Sequence, residues 1–109
     1  MNTSKYQSCI DACNACITAC LHCAKSCLQE DDVKMMSTCI KLDSNCATAC
    51  QTAVQFMATD SKFSQSMCML CAQICDACAG ECEKHKHEHC KECAKACRQC
   101  AEACRKMAA

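Results

Sequence analysis

Six cysteines between positions 9 and 27 follow one another at steps of 4, 3, 4, 3 and 4: Cys9, Cys13, Cys16, Cys20, Cys23 and Cys27. Steps of three and four bring side chains onto one face of an α-helix, where residues i, i+3 and i+4 are neighbours. The cysteines thereby fill the a and d positions that Leu or Ile take in an ordinary helical seam. The rhythm returns twice. Cys68, Cys71, Cys75, Cys78 and Cys82 step by 3, 4, 3 and 4, and so do Cys90, Cys93, Cys97, Cys100 and Cys104. A sparser stretch holds Cys39, Cys46 and Cys50, and the same register places Met36, Asp43, Ala53 and Met57 beside them.

Punctuation supports long helices. The chain has no proline and a single glycine, Gly80, so the usual strand and turn signals are missing. The pattern predicts helices over residues 4–28, 33–58 and 61–83, and a fourth carrying the cysteines from 90 to 104. Thr3 or Ser4 is a plausible cap for the first. In the connection Gln29-Glu-Asp-Asp32, the aspartates are suited to cap the second helix and complement its dipole. Thr59-Asp-Ser-Lys62 reads as a turn with cap residues, and Gly80 as a place where the third helix loosens. Short connections between helices of about 20 to 25 residues make neighbours antiparallel. The expected architecture is all-α, an up-down-up-down antiparallel four-helix bundle with a cysteine-lined interior, formed by one domain over 1–109.

Alternating direction sorts the connections onto two ends. Met35, Met36, His85, His87 and His89 fall at one, offering thioether and imidazole ligands. Tyr6, Phe56, Met57, Phe63 and Met107 fall at the other, which reads as an apolar plug. Beside the seam, Ile10, Ile17, Leu21 and Leu28 form a second stripe on the first helix, and Leu70, Ile74 and Ala77 one on the third. A helix in a small bundle needs one apolar face, so the stripe on the first helix suggests contact with another subunit. Asp43 reads as solvated, its slot tilted outward with Leu42 taking the inner position; the sharper alternative is a carboxylate among the thiols, as ligand or acceptor. His22 falls opposite the seam and reads as solvated.

Large aliphatic side chains are too few for an ordinary core in 109 residues, so cysteine, methionine, alanine or a bound species must supply the volume. Twelve basic and twelve acidic residues cancel, and no basic stripe with aromatic residues appears, which argues against nucleic-acid binding. No uncharged stretch approaches membrane-spanning length. The N-terminal residues show neither an apolar export region nor a twin arginine, so the expected compartment is the cytoplasm, where thiols stay reduced.

Nineteen cysteines in such a compartment point to metal rather than disulfides, and as plain core residues they would make an oxidation-prone interior. Iron–sulfur ligation favours compact loop spacings, absent here. Zinc takes four ligands at a tetrahedral centre, and a continuous lining gives no reason to stop at groups of four. Soft thiolates and thioethers favour Cu(I). If each thiolate bridges two ions and each ion takes two sulfurs, capacity reaches about one Cu(I) per cysteine. The expected ligands are all nineteen: Cys9, Cys13, Cys16, Cys20, Cys23, Cys27, Cys39, Cys46, Cys50, Cys68, Cys71, Cys75, Cys78, Cys82, Cys90, Cys93, Cys97, Cys100 and Cys104. His85, His87, His89 and Met36 line the mouth. A zinc- or cadmium-buffering bundle is the nearest alternative. A thiol redox enzyme would need one exposed, low-pKa cysteine singled out, and none is, nor is a nucleophile–base pair or phosphate loop visible.

These features together resemble the cytosolic bacterial copper storage proteins, cysteine-lined four-helix bundles. The matching stretches are C-x₃-C-x₂-C-x₃-C-x₂-C-x₃-C from Cys9, C-I-K-L-D-S-N-C over 39–46, C-x₂-C-x₃-C-x₂-C-x₃-C from Cys68, and H-K-H-E-H-C-K-E-C-A-K-A-C-R-Q-C-A-E-A-C over 85–104. The resemblance implies storage of many Cu(I) ions inside each bundle, a homotetramer, histidines at the open mouth and exchange with a cytosolic copper chaperone.

Overall fold

The computed structural model describes residues 4–109. It contains α1 (Gln7–Leu28), α2 (Ser37–Ala58), α3 (Ser64–Cys82) and α4 (Glu88–Ala108), with short 3-10 turns at Ser4–Tyr6 and Val33–Met36 leading into α1 and α2. α1 packs against α2 and α4, and α3 packs against the same two helices. The result is the expected antiparallel square of four, drawn out to 47 × 20 × 18 Å. Among the described residues no helix is long and apolar enough to cross a membrane.

The seams point inward along their whole length, and every cysteine is buried. Alanine fills the space between them: Ala53, Ala79 and Ala101 are fully enclosed and Ala72 nearly so. Small side chains let the backbones approach, so the bundle closes on sulfur with few large apolar groups. Ile10, Ile17, Ile40, Leu42, Val54 and Ile74 pack part-buried against the outside of this core. Leu21 and Leu28 stand in solvent, so the second stripe of α1 is half seated and half free.

Helix ends differ from the expectation at several points. No helix start carries a side-chain capping hydrogen bond. Thr3 lies outside the described residues. Asp32 precedes the 3-10 turn without capping it, because its carboxylate is taken by His87 at 3.3 Å. α3 begins at Ser64 rather than residue 61, because the end of α2 closes in a Schellman motif. There the Ser61 N–H donates to the Phe56 carbonyl at 2.9 Å and the Asp60 N–H to Met57 at 3.0 Å. Asp60 adopts the left-handed conformation this requires, φ 51°, which aspartate tolerates better than most residues. Gly80 does not loosen α3, which continues unbroken to Cys82.

Long-range contacts assemble the two ends as the topology dictates. The Tyr6 hydroxyl donates to Asp60 Oδ1 at 2.7 Å, joining the start of the chain to the α2–α3 turn. Tyr6 and Met57 are buried there, and Phe56 and Met107 are part-buried. Phe63 is not part of the plug: its side chain lies in the turn outside the seam and is 57% exposed. At the other end His87 and His89 of the α3–α4 connection reach Asp32 and Glu30 of the α1–α2 connection. On the outer face Arg98 of α4 holds Glu83 with two nitrogens, at 3.1 and 2.8 Å, and Asp76 of α3 at 3.0 Å.

Candidate metal site

Because residues at steps of three and four share a face, each helix delivers its sulfurs as a column, and four columns meet on one axis. All nineteen cysteines are free thiols. Near the plugged end Cys9 and Cys13 lie 3.7 and 4.0 Å from Cys104. In the middle Cys16 contacts Cys46 at 3.6 Å and Cys97 at 3.7 Å, and Cys46 contacts Cys75 at 3.4 Å. Towards the mouth Cys39 meets Cys82 at 3.4 Å and Cys27 at 4.0 Å. Metal–thiolate bonds of about 2.3 Å let one ion touch two sulfurs up to about 4.6 Å apart. All of these contacts are within that reach.

Donor atoms also gather in fours whose members lie within 4.8 Å of one another. Cys16, Cys20, Cys46 and Cys97 form one such group; Cys16, Cys46, Cys50 and Cys75 form another; Cys20, Cys78, Cys93 and Cys97 a third. These groups share members. Filling one as a closed tetrahedral centre would consume sulfurs that its neighbours need, whereas a bridged array uses every sulfur at once.

Asp43 sits inside this array with no exposed surface, so the expectation of an outward, solvated Asp43 with Leu42 inward does not hold. Leu42 is the part-buried outer neighbour. The carboxylate accepts from Cys78 and Cys93 at 3.2 Å each through Oδ1, and lies 3.8 Å from Cys82 and 3.9 Å from Cys39. It joins the middle of the column to the sulfurs near the mouth. Burial, followed by the neighbouring Cys93 and Cys78 sulfurs, pushes its pKa up to about 10. Burial likewise pushes Cys27 up and Cys90 up to about 11. At neutral pH the Asp43 carboxyl group is therefore protonated and uncharged, which is why it can be enclosed.

The three mouth histidines are placed differently. His89 turns Nδ1 towards Cys23 at 3.4 Å and Cys90 at 3.6 Å, and gathers with Cys23, Cys27 and Cys90 in one potential ligand group. His85 is held by Glu81 at 3.0 Å on Nε2. His87 faces carboxylates with both nitrogens, Glu30 on Nδ1 and Asp32 on Nε2, each at 3.3 Å. Met36 is completely buried at this end, while Met35 is 72% exposed. His22 is exposed, as its position opposite the seam implies. Glu81 stands four residues before His85, a local spacing, but the other carboxylates on the imidazoles, Glu30 and Asp32, were not foreseeable from spacing. Only the antiparallel topology brings residues 30 and 32 beside residues 87 and 89. Asp43 did carry a signal, since its register already put it in the seam.

A helical bundle with a thiol-lined, alanine-spaced interior and a thiol–imidazole mouth is a container for soft metal ions. Comparison with known proteins agrees. The sequence matches the family described as copper storage protein over residues 2–109. Among solved structures, the Cu(I)-bound copper storage protein BsCsp3 shares 53% identity, covering 95% of this chain and 98% of that one, with a TM-score of 0.92. The metal-free copper storage protein 3 of Bacillus subtilis shares 52% identity over 95% and 99%, with a TM-score of 0.89. A cytosolic copper storage protein from Streptomyces lividans, seen with five coppers, shares 34% identity over 97% and 93%, with a TM-score of 0.93. No curated protein sequence matches. The chain belongs to the copper storage protein family.

Proposed function

We propose that this chain stores Cu(I) in the cytoplasm on all nineteen cysteines, at about one ion per cysteine, and that copper passes through the mouth built around His89. The observation that carries this reading is the overlap of the sulfur quartets, in which Cys16, Cys20, Cys46 and Cys97 each belong to more than one. Bound copper in the related bundles supports the choice of metal.

Each Cu(I) that binds two thiolates displaces their protons, and an array with one ion per sulfur is neutral. A first ion on two thiolates therefore leaves one negative charge, and sharing of sulfurs by later ions brings the interior back to neutrality at one Cu(I) per cysteine. Cys23, Cys27, Cys90 and His89 receive an ion at the mouth, and sulfur-to-sulfur steps of 3.4 to 4.0 Å lead inward from there, with Asp43 among them. Met36 lines the same end as a soft thioether. His85 and His87 surround the opening, held by carboxylates. The function is storage, with no catalytic role assigned to any residue. A cytosolic copper chaperone is the fitting donor, and Leu21 and Leu28, exposed on α1, fit burial in a homotetramer.

Parallel titration of reduced protein with Cu(I) and Zn(II) tests the reading. Cu(I) should displace Zn(II) completely, and Zn(II) alone should saturate near one ion per four sulfurs. Equal retention of both metals at that low ratio would make the chain a zinc buffer instead.

A further inference from the structure

Glu30 lies in the connection after α1, in no metal-ligand group described above, yet one of its oxygens holds one imidazole and lies against a second. Its Oε2 is 2.7 Å from His89 Nε2 and 3.3 Å from His87 Nδ1. The two rings are stacked, centroids 5.4 Å apart and 4° from parallel. The far nitrogen of His87 meets Asp32 Oδ1 at 3.3 Å. The inner nitrogen of His89 faces Cys23 and Cys90.

We infer that Glu30 is the positioning residue of the copper mouth: by accepting the His89 Nε2–H it fixes the ring so that the Nδ1 lone pair faces the Cys23 and Cys90 sulfurs. A histidine that ligates through one nitrogen needs its proton on the other, and a carboxylate acceptor fixes both tautomer and ring orientation. The short 2.7 Å contact, with the His89 side chain 12% exposed, makes this bond stronger than a surface pairing. His87 serves as a brace. Its Nε2 meets Asp32 and its ring stacks on His89 with Nδ1 3.3 Å from the same Glu30 oxygen, so the ring crowds the carboxylate and restricts its swing away from His89. The device also couples the two connections at the mouth, since moving residues 29–32 would turn the ligand ring.

This inference rests on the storage reading for its purpose, and its test separates the two. In reduced, metal-free protein, the His89 Nε2–H proton should give a slowly exchanging downfield imidazole resonance, assigned by its loss in His89→Ala. The signal should persist in Glu30→Gln, whose amide oxygen still accepts, and vanish in Glu30→Ala, with helical circular dichroism unchanged in both. Anaerobic Cu(I) loading should slow about tenfold in Glu30→Ala, recover most of its rate in Glu30→Gln, and show no additional slowing from Glu30→Ala when His89 is already Ala. An unchanged resonance in Glu30→Ala would overturn the inference. Equal slowing with and without His89 would do so too, since Glu30 would then act as a free charge at the mouth. Wild-type protein that takes up no Cu(I) but shows the predicted resonance pattern would sink the storage reading and leave the hydrogen bond standing.

Discussion

The Cys93 thiol donates to the Asp43 carboxylate across 3.2 Å in the centre of the bundle, a carboxyl group enclosed by sulfur with no exposed surface. Helices α2 and α4 lie diagonally across the bundle, so this contact spans the tube rather than running along its wall.

Asp43 makes the metal-free fold pH-dependent. Its pKa rises from 3.8 to about 10 on folding, so the folded state keeps a proton that the unfolded chain has lost above pH 4. The stability this group gives is complete below pH 4 and falls as pH rises towards 10, by at most about 1.4 kcal/mol per unit. Urea unfolding of reduced protein between pH 5 and 7.5 should show wild type losing stability relative to Asp43→Asn as pH increases. Parallel curves for the two proteins would contradict the assignment.

His89 and His85 should separate in loading kinetics. Replacing His89 with Ala should slow Cu(I) uptake about tenfold or more with total capacity nearly unchanged, because it removes a donor aimed at Cys23 and Cys90. Replacing His85, which Glu81 holds on Nε2, should change the rate much less. Stopped-flow loading with a coloured Cu(I) chelator distinguishes them. Equal effects would mean that imidazole count at the mouth matters and ring orientation does not.

Cys46 belongs to two overlapping quartets. In a bridged array Cys46→Ala should lower capacity by only about one or two Cu(I), with the rest still bound. Loss of about four would indicate closed clusters that fail as units. Inductively coupled plasma analysis of loaded, desalted protein gives the count.

Metal should stabilise a fold that already exists. The alanine and cysteine seams, the Schellman motif at Asp60 and the Arg98 contacts need no ion, so reduced metal-free protein should give a helical circular dichroism spectrum. Loaded protein should unfold at markedly higher denaturant, since tight ligands that bind only the native state add about 4 kcal/mol at a thousandfold excess over Kd. A random-coil spectrum without metal would contradict this.

The bundle was legible because one residue type marked the inner face in every helix, and spacing alone oriented all four seams. Element limits were less so: the start of α3 depends on a backbone closure around Asp60 that reads only as a generic turn. The sequence placed Asp43 in the seam, but the cost of burying a carboxylate argued for turning it outward. That argument assumed a charged group. Burial and the neighbouring Cys93 and Cys78 sulfurs keep the group protonated and neutral, and burial becomes tolerable. Phe63 failed in the opposite direction, since an apolar side chain at the right end of the bundle was counted as core although its turn geometry leaves it in solvent. Pairings such as Glu30 with His89 join residues 59 positions apart, and no local pattern encodes them.

The most direct measurement is an anaerobic Cu(I) titration of fully reduced protein against a competing high-affinity Cu(I) chelator. A shared array of nineteen sulfurs predicts that the protein withholds copper from the chelator until roughly one Cu(I) per cysteine is bound. Saturation at about one ion per four cysteines would contradict it and leave discrete tetrahedral sites as the correct description.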